Sequence, residues 1–405
     1  MDFVYIDGGV TAVPGFTASG IHCGIRKNSD KRDLVLVMAD RECTAAAVYT
    51  TNKVKAAPLW LTMEHLKDGC ARGIIVNSGN ANACTADGMD AAKEMVDAIA
   101  AETGLRREDF IVNSTGVIGQ QLPVKAIVSG IPELVNQLST DSLAAAEGIM
   151  TTDTFPKCAA VTCEMDNKKV TIGGIAKGSG MIHPNMATML AFVTTDCAIE
   201  PELLQQALKE SVDSSYNCIS VDGDTSTNDM TAILASGAAG NRKITKKNEN
   251  YHQFLKALTA VNLRLAKEIA RDGEGATKLI ICQVTGAQTD ADAHGMAKSV
   301  IASSLVKAAM FGSDANVGRV LCAMGYSGAE FEPSNVDISF TSIAGTILVC
   351  QQGEGLAFDE KQAKEILSQK EVAIEVNLTE GRGIGVAYGC DLTYDYVRIN
   401  GDYRT

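Results

Sequence analysis

The sequence predicts an α/β protein built as a layered sandwich, with mixed β-sheets flanked by helices. Short apolar runs alternate with helical patterns along the whole chain. Several successive runs are separated by gaps of hairpin length, which disfavours an all-parallel sheet. No segment of about 20–50 residues repeats, which excludes a solenoid. At 405 residues, the chain is long enough for two or three domains with sizeable cores.

The first half of the chain mixes strand and helix patterns. Apolar runs joined by Asp166-Asn167 predict a β-hairpin over 159–164 and 169–173. Apolar and β-branched residues over 189–195 predict a buried strand. The other predicted elements are strands at 34–38, 74–76 and 111–112 and helices over 91–101 and 143–150.

In the second half, Pro201 begins a helix predicted to reach Val212, because proline at the first helical position loses no hydrogen bond. The longest helical pattern covers 251–271. The polar stretch 240–250 is either a flexible linker or a surface loop. The remaining predictions are strands at 277–284, 337–340, 346–350 and 372–376 and helices over 297–310 and 361–367.

Composition and charge favour a cytoplasmic globular enzyme. The net charge of −13, with no basic stretch, argues against a nucleic-acid or anionic-membrane partner. The twelve cysteines lie singly without a C-x-x-C pair, most of them in apolar runs, as expected in a reducing compartment. The first residues lack a signal-peptide pattern, and no apolar run approaches the roughly 20 residues that span a bilayer.

Common catalytic and cofactor motifs are missing from the sequence. The five histidines have no paired helical spacing and no thiolate cluster is present, so we expect no metal. The nucleophile elbow G-x-S-x-G, the dinucleotide fingerprint G-x-G-x-x-G and the phosphate loop are all absent. The chain therefore offers little support for a serine hydrolase, an oxidoreductase or an NTPase, and we expect no resident cofactor.

Three polar segments follow predicted strands. They are 77–82 (NSGNAN), 113–116 (NSTG) and 221–229 (VDGDTSTND). Any one of them is typical of a turn, because Asn, Asp, Ser, Thr and Gly are the preferred turn residues. Loops at the carboxyl ends of strands also line ligand crevices in α/β proteins. The three together favour a polar cleft.

The stretch from Lys177 to Asp196 (KGSGMIHPNMATMLAFVTTD) contains a candidate nucleophile. A lysine, two glycines and a proline precede the bond between Ala187 and Thr188, and the predicted buried strand follows it. A hydroxyl group at the entrance of a core strand is held rigidly and is reachable from a cleft. By itself, a threonine at the start of a strand is explained far better by β propensity than by catalysis.

These blocks together resemble the ornithine acetyltransferase (glutamate N-acetyltransferase) family of arginine biosynthesis. The opening GGVTA at 8–12, the NSTG block, the segment from Lys177 to Leu190, the VDGDTSTND block and the ending RINGDYRT at 398–405 carry the resemblance. It runs from near the first residue to the last. The implied fold is the layered sandwich shared with the DmpA-like aminopeptidases.

The resemblance implies that the chain cuts itself between Ala187 and Thr188, giving an alpha chain of residues 1–187 and a beta chain of residues 188–405. The new amino-terminal Thr188 is then the nucleophile. An α-amine of pKa near 8 can serve as the base for its own hydroxyl, whereas the amide nitrogen before cleavage cannot. Self-cleavage therefore creates the base and exposes the nucleophile in one step.

The remaining site residues are carried over from the family pattern. Thr115 and Gly116 match the pair that stabilises the oxyanion. Lys177 is expected to bind the α-carboxylate of the substrate and Glu274 the side-chain ammonium of ornithine. The substrate-binding set is Thr151, Lys177, Thr188, Glu274, Asn400 and Thr405.

The implied reaction is ping-pong: N-acetylornithine acetylates Thr188 and ornithine leaves, and glutamate then takes the acetyl group to give N-acetylglutamate. Some members also accept acetyl-CoA as the acetyl donor. The sequence therefore leaves open whether this protein uses both donors and is bifunctional. The implied assembly is a heterotetramer of two alpha and two beta chains. The segment 314–319 departs from the family pattern, because Ala315 and Val317 stand where Pro and Trp are more usual. This departure concerns which acetyl donors the protein accepts.

Two alternatives remain from the residues themselves. An amidase or aminopeptidase of the same fold would pass the acyl group to water instead of glutamate. A non-catalytic amino-acid-binding protein would keep the fold as a single uncut chain.

Overall fold

The computed structural model describes residues 3–183 and 189–401 and contains two mixed β-sheets with helices packed on their faces. The predicted layered α/β class is confirmed. Both sheets combine parallel and antiparallel pairs, as the hairpin-length gaps in the sequence indicated. The buried apolar side chains form separate clusters on the faces of the sheets.

The first sheet has nine strands. Their order is β1-β6-β7-β8-β10-β3-β4-β5, with β2 paired to the first part of the long β3. The pairs β8–β10 and β4–β5 are parallel. The strands are β1 (Val4–Ile6), β2 (Phe16–Ile21), β3 (Leu34–Tyr49), β4 (Cys70–Asn80), β5 (Phe110–Val117), β6 (Lys157–Met165), β7 (Lys168–Lys177), β8 (Leu190–Thr195) and β10 (Met230–Ala235).

The second sheet has seven strands in the order β14-β13-β12-β15-β11-β16-β9. The pairs β11–β15 and β16–β9 are parallel, and the others are antiparallel. The strands are β9 (Ile219–Ser220), β11 (Leu279–Ala287), β12 (Asp337–Ser342), β13 (Gly345–Gln351), β14 (Glu354–Gly355), β15 (Glu371–Asn377) and β16 (Gly383–Cys390).

The helices cover both sheets. They are α1 (Ala57–His65), α2 (Gly88–Thr103), α3 (Val124–Asn136), α4 (Leu143–Ile149), α5 (Pro201–Asp213), α6 (Glu249–Arg271), α7 (Asp290–Ala302), α8 (Ser304–Phe311), α9 (Val317–Gly325), α10 (Glu360–Leu367) and α11 (Tyr394–Asn400). The predicted helices at 201–212 and 251–271 are confirmed within about two residues at each end.

Helix α6 lies between the two sheets. Its apolar face packs against β6 and β7 of the first sheet and reaches Leu279 and Tyr388 of the second. Helices α7 to α10 cover the opposite face of the second sheet. Strand β8 is buried on both faces, because Ala191 points to the α6 cluster while Phe192 points to the cluster under α4. This explains its unbroken apolar sequence.

The predicted hairpin is confirmed as β6 and β7, which pair in register from Lys157 opposite Ala176 to Met165 opposite Lys168. Asp166 and Asn167 form its turn with φ angles of 52° and 58°. Two positive φ values define the turn whose twist matches that of the flanking strands, and Asp and Asn tolerate them.

One predicted helix is wrong. The pattern over 297–310 forms two helices, since α7 ends at Ala302 and α8 begins at Ser304. Ser303 has an extended backbone (φ −65°, ψ 115°), and its side chain accepts a hydrogen bond from the backbone N–H of Val306. A serine that caps the first turn of a new helix ends the previous one.

Two predicted loops are also partly wrong. Strand β4 continues through Asn80 and β5 through Val117, so NSGN at 77–80 and NSTG at 113–116 are strand ends rather than loops. They pair with each other in parallel. The stretch 240–250 is a surface loop and not a domain linker, because it joins β10 to α6 and both contribute to one apolar cluster.

No helix within residues 3–183 and 189–401 has the length and apolar composition needed to cross a membrane.

Candidate active site

The ends of β4 and β5 bring two glycine backbones into direct contact. Gly116 has φ +136°, and a Cβ atom on it would lie 2.3 Å from the carbonyl carbon of Gly79. The pairing is irregular at this point, since Asn80 lies opposite both Thr115 and Val117. Only glycine fits at position 116, because both the backbone angle and the space exclude a side chain.

Hydrogen bonds tie the three polar segments together. The side-chain amide of Asn228 donates to the carbonyl oxygens of Ala81 (2.6 Å) and Ser114 (2.8 Å). The Ser114 hydroxyl donates to Asn77 Oδ1 at 2.6 Å. All of these groups are buried, so their bonds are made in a low-dielectric setting that strengthens them. The segments that the sequence grouped as a polar cleft therefore lie side by side.

A cavity of about 120 Å³ opens where these segments meet. Met189 and Leu190, the last residue before β8 and the first residue of β8, line it together with Asp229. Six of the residues predicted from the sequence lie on its wall: Thr115, Gly116, Thr151, Lys177, Glu274 and Asn400. The other predicted residues, Ala187, Thr188 and Thr405, lie outside the described residues.

A buried charge cluster supports one side of the cavity. The Lys157 ammonium lies 2.7 Å from Asp153 Oδ1 and 2.6 Å from Asp272 Oδ2. The Lys157 and Asp153 side chains are fully buried, and that of Asp272 is 3% exposed. Because a buried charge is costly without partners, the three groups depend on one another. They join the start of β6 to the end of α6.

The two carboxylates of this cluster also hold the backbone around the cavity. Asp153 accepts hydrogen bonds from the N–H groups of Thr151 (2.9 Å) and Gly178 (2.7 Å). Asp272 accepts from the N–H of Thr154 at 3.0 Å. Burial opposes the ionisation of Asp153, but the ammonium groups of Lys177 and Lys157 outweigh it and lower the pKa of Asp153 to about 2. Asp153 is therefore charged at neutral pH.

Lys177 is the cation that faces the cavity. Burial lowers the pKa of its ammonium, while the negative charges of Asp153, Asp229 and Glu274 oppose that shift. Asp153 is already engaged by Lys157, and burial raises the pKa of Asp229 well above its usual value. Lys177 lines the cavity, where an anion can pair with its ammonium group.

Asp229 is buried at the cavity wall. Its Oδ2 has no hydrogen-bond partner among the described residues, whereas a hydrogen bond from Ser226 and the charge of Lys177 act against the rise of its pKa. An unpartnered buried oxygen of this kind is costly and is usually kept for a ligand or for chemistry. Asp229 is thus an additional functional candidate.

Glu274 is held in place by its neighbours. Asn400 Nδ2 donates to Glu274 Oε2 at 2.6 Å, and the Glu274 N–H donates to the carbonyl oxygen of Ser179 at 3.0 Å. Its carboxylate packs on Gly180, where a Cβ atom would lie 2.3 Å from the Glu274 Cδ. Gly180 therefore leaves the space that the carboxylate occupies.

The segment that leads toward Thr188 is fixed by side chains of the VDGDTSTND block. Asp222 accepts hydrogen bonds from the N–H groups of Met181 (2.6 Å) and Ile182 (2.8 Å). The Thr225 hydroxyl donates to the His183 carbonyl oxygen at 2.9 Å. The described part of this approach is thus anchored at three backbone positions, Met181, Ile182 and His183.

Sequence reasoning missed five residues that build the site, although four of them had a signal. Asp153 lies two residues after Thr151, and Asp272 lies two residues before Glu274. Asp222 and Asp229 belong to the VDGDTSTND block. Lys157 had no signal of its own, because a single lysine normally lies in solvent. The missed residues are Asp153, Lys157, Asp222, Asp229 and Asp272.

The two departures from the family pattern lie away from the cavity. Ala315 is buried in the apolar cluster of the second sheet, and Val317 packs against that cluster. Neither residue lines the cavity. Both are explained by packing between α8, α9 and the second sheet.

Within the part of the chain that the structure describes, no group of three or more His, Cys, Asp or Glu side chains is arranged to hold a metal ion. The polar groups that face the cavity are hydroxyls, carboxylates, amides and the Lys177 ammonium. This set suits an amino acid, which carries charges of both signs.

The fold and the cavity define a layered α/β protein with a polar, amino-acid-sized site, and comparison with known proteins gives its family. The profile of the ArgJ family matches residues 17–405. The chain is 53% identical to the arginine biosynthesis bifunctional protein ArgJ 1 of Clostridium acetobutylicum over 398 residues, covering 98% of this chain and 97% of the relative. It is 52% identical to the bifunctional ArgJ protein of Symbiobacterium thermophilum, covering 99% and 100%.

The chain belongs to the ArgJ family, and the resemblance stated from the sequence is confirmed. Among solved structures, the bifunctional ArgJ protein of Bacillus halodurans is 49% identical, with a TM-score of 0.50. The match covers 97% of that solved chain but 52% of this one. That solved polypeptide is therefore about half as long as the present chain.

Proposed function

We propose that this protein transfers the acetyl group of N-acetylornithine to glutamate, giving ornithine and N-acetylglutamate. Two relatives, which are 53% and 52% identical in sequence, are named as bifunctional proteins of arginine biosynthesis. The observation that carries the proposal is that six residues predicted from the sequence line one cavity. They come from distant parts of the chain, from Thr115 to Asn400.

The proposed nucleophile is Thr188, freed by cleavage of its bond to Ala187. Met189, the residue that follows Thr188, lines the cavity, which supports this assignment. The half-length solved chain of the Bacillus halodurans relative supports separate alpha and beta polypeptides. In the proposed cleavage, the Thr188 hydroxyl oxygen bonds to the Ala187 carbonyl carbon, and the peptide C–N bond breaks as its nitrogen takes the hydroxyl proton. Water then hydrolyses the resulting ester, which gives the Ala187 carboxylate and restores the Thr188 hydroxyl.

In the transfer step, the α-amine of Thr188 takes the hydroxyl proton as oxygen attacks the acetyl carbonyl. The proton then passes to the α-amine of ornithine as that leaves. The Thr115 hydroxyl and the Gly116 N–H are the proposed donors to the oxyanion, a role worth about 3 kcal/mol per donor. The contact of Gly116 with Gly79 supports this role, because it fixes the backbone that carries the donor.

The substrate would be held by its charged ends. Lys177 pairs with the α-carboxylate, and Glu274, oriented by Asn400, pairs with the side-chain ammonium of ornithine. Thr151 lines the same wall and adds a hydroxyl. Thr405 is assigned to substrate binding on the resemblance alone, since it lies outside the described residues.

The proposal also covers a second acetyl donor, the subunit assembly and the cellular compartment. Acetyl-CoA serves as a second donor, which fits relatives named bifunctional. The proposed assembly contains two alpha and two beta chains, as the resemblance implies. The association of one alpha with one beta chain is supported by the cavity, which draws residues from both sides of the cleavage point. A cytoplasmic location is favoured by thiols that are mostly buried or half-buried as small hydrophobes.

The test is single-turnover transfer. Purified protein is treated with N-acetylornithine carrying a labelled acetyl group, freed of small molecules, and then given glutamate. We expect the label on the Thr188 peptide before glutamate is added and on N-acetylglutamate afterwards. Release of acetate alone would favour the amidase alternative, and the absence of any labelled protein would favour a binding protein.

A further inference from the structure

A second, larger cavity of about 590 Å³ adjoins the candidate active site. Three basic residues, Arg26, Lys27 and Lys31, line it, and none of the described residues that line it is acidic. The chain as a whole has a net charge of −13, so three cations without a carboxylate among these described lining residues are a local reversal of charge. Such a cavity favours a polyanionic ligand.

The basic residues are carried by a loop with a defined framework. The buried carboxylate of Asp33 accepts hydrogen bonds from the N–H groups of Cys23 (2.6 Å) and Arg26 (2.9 Å). Lys27 and Lys31 remain exposed at the mouth of the cavity. The loop therefore wraps around a buried anchor and presents its cations outward.

The same loop is joined to the candidate active site. The Arg26 guanidinium donates to the carbonyl oxygen of Met150, directly before Thr151. Thr151 and Thr152 line both cavities. Gly79 faces the basic cavity and would place a Cβ atom 2.9 Å from Arg26 Cγ, so its lack of a side chain lets the loop approach.

The two cavities are thus separated by a thin wall. Gly79 lines the basic cavity, and Gly116, which packs on its backbone, lines the active-site cavity. The shared threonines form the other part of the boundary. The direct route from the cations to Gly116 runs along this boundary, which hydroxyl groups and glycine backbone line.

We propose that the basic cavity binds the phosphorylated nucleotide of coenzyme A, so that the thioester arm of acetyl-CoA reaches the site past Thr151 and Thr152. This rests on the proposed acetyl transfer and assigns a binding site for its second donor. Lysine and arginine side chains pair with phosphate oxygens through charge-assisted hydrogen bonds. The amino-acid donor carries no phosphate and needs none of these cations.

The acylation step balances without any further reagent. The Thr188 oxygen bonds to the acetyl carbon, and the bond between that carbon and the thioester sulfur breaks. The proton taken from the hydroxyl by the α-amine passes to the leaving sulfur, giving the free thiol of coenzyme A. Glutamate then accepts the acetyl group as in the reaction with N-acetylornithine.

The test compares the two donors in one variant, Lys27→Glu/Lys31→Glu. We expect the KM for acetyl-CoA to rise at least about tenfold, since two attractive charges become repulsive. The KM and kcat with N-acetylornithine should stay within about twofold. The matched control is Lys361→Glu on α10, whose lysine is also exposed but lies on the second sheet's helix layer. Calorimetry with coenzyme A itself measures binding apart from turnover.

Three results would overturn the assignment. The first is a wild-type protein that transfers acetyl from N-acetylornithine but neither binds coenzyme A nor uses acetyl-CoA. The second is an equal loss of activity with both donors in the double variant, and the third is an equal loss in the Lys361→Glu control. If wild type transferred from neither donor, the proposed function would fail, whereas weaker coenzyme A binding by the double variant would still support the cavity assignment.

Discussion

The Lys157 ammonium lies 2.6 Å from Asp272 Oδ2, although the two residues are 115 positions apart. Lys157 belongs to the proposed alpha chain and Asp272 to the proposed beta chain. With Asp153 as the third member, this buried cluster links the two sides of the proposed cleavage point beside the cavity. It gives a physical reason for the two fragments to remain together after the proposed cleavage.

Removing the shared cation should therefore be costly. Lys157→Met leaves two buried carboxylates without their partner, and we expect the free energy of unfolding to fall by about 3–5 kcal/mol. Urea denaturation measures this in the Thr188→Ala background, where a single chain avoids fragment dissociation. Lys209→Met, which breaks an exposed pair with Asp213, is the control and should cost at most about 1 kcal/mol. Equal losses in the two variants would contradict the role of the cluster.

The same cluster predicts an acid-dependent loss of stability. The folded pKa of Asp153, about 2, lies below the ordinary value of 3.8, so its charged form stabilises the fold above pH 3.8. That contribution, on the order of 2 kcal/mol, is lost as the pH falls toward 2. Urea midpoints between pH 5 and pH 3 should fall less steeply for Asp153→Asn than for the parent. If the urea midpoint fell with pH equally steeply in Asp153→Asn and in the parent, Asp153 would not titrate as described.

Gly116 should tolerate no side chain. Gly116→Ala must displace the backbone of Gly79 as well as strain a φ of +136°, so we expect kcat to fall by about 100-fold or more as an oxyanion donor moves. Gly119→Ala is the matched control, because its φ is +79° and no atom lies within 4 Å of the added Cβ. It should lose roughly 1–2 kcal/mol of stability and keep most of its kcat. Similar kcat values in both variants would contradict the assignment.

Glu274 should select the donor amino acid. Glu274→Gln keeps the shape of the side chain and removes the charge that we propose pairs with ornithine, so the KM for N-acetylornithine should rise at least about tenfold. The KM for glutamate, which has no side-chain ammonium, should change less. Steady-state kinetics with each substrate varied in turn measure both values. Glu202→Gln, in the exposed first turn of α5, serves as the control. An unchanged donor KM would remove Glu274 from substrate recognition.

Local patterns predicted much of the fold. The hairpin at Asp166-Asn167, the helix that begins at Pro201 and the buried strand β8 follow from turn chemistry, capping and apolar runs, which act within a few residues. The break at Ser303 was missed because the apolar pattern continues through it. The polar ends of β4 and β5 were taken for loops because their strand pairing depends on each other rather than on local sequence.

The candidate site likewise contains residues that the sequence predicted and residues that it did not. The family resemblance supplied Thr115, Gly116, Lys177 and Glu274, which line one cavity. Their supporting groups depend on contacts between distant segments. Lys157 reads as a solvent-exposed lysine until Asp272 is brought beside it, and no pattern near either residue indicates the other.

The most direct test of the central claim is the intact mass of the wild-type protein and of Thr188→Ala. The account predicts two polypeptides from wild type, of 187 and 218 residues, with threonine at the start of the second, and one chain of 405 residues from the variant. A wild-type protein that stays in one piece while transferring acetyl groups would contradict Thr188 as an amino-terminal nucleophile.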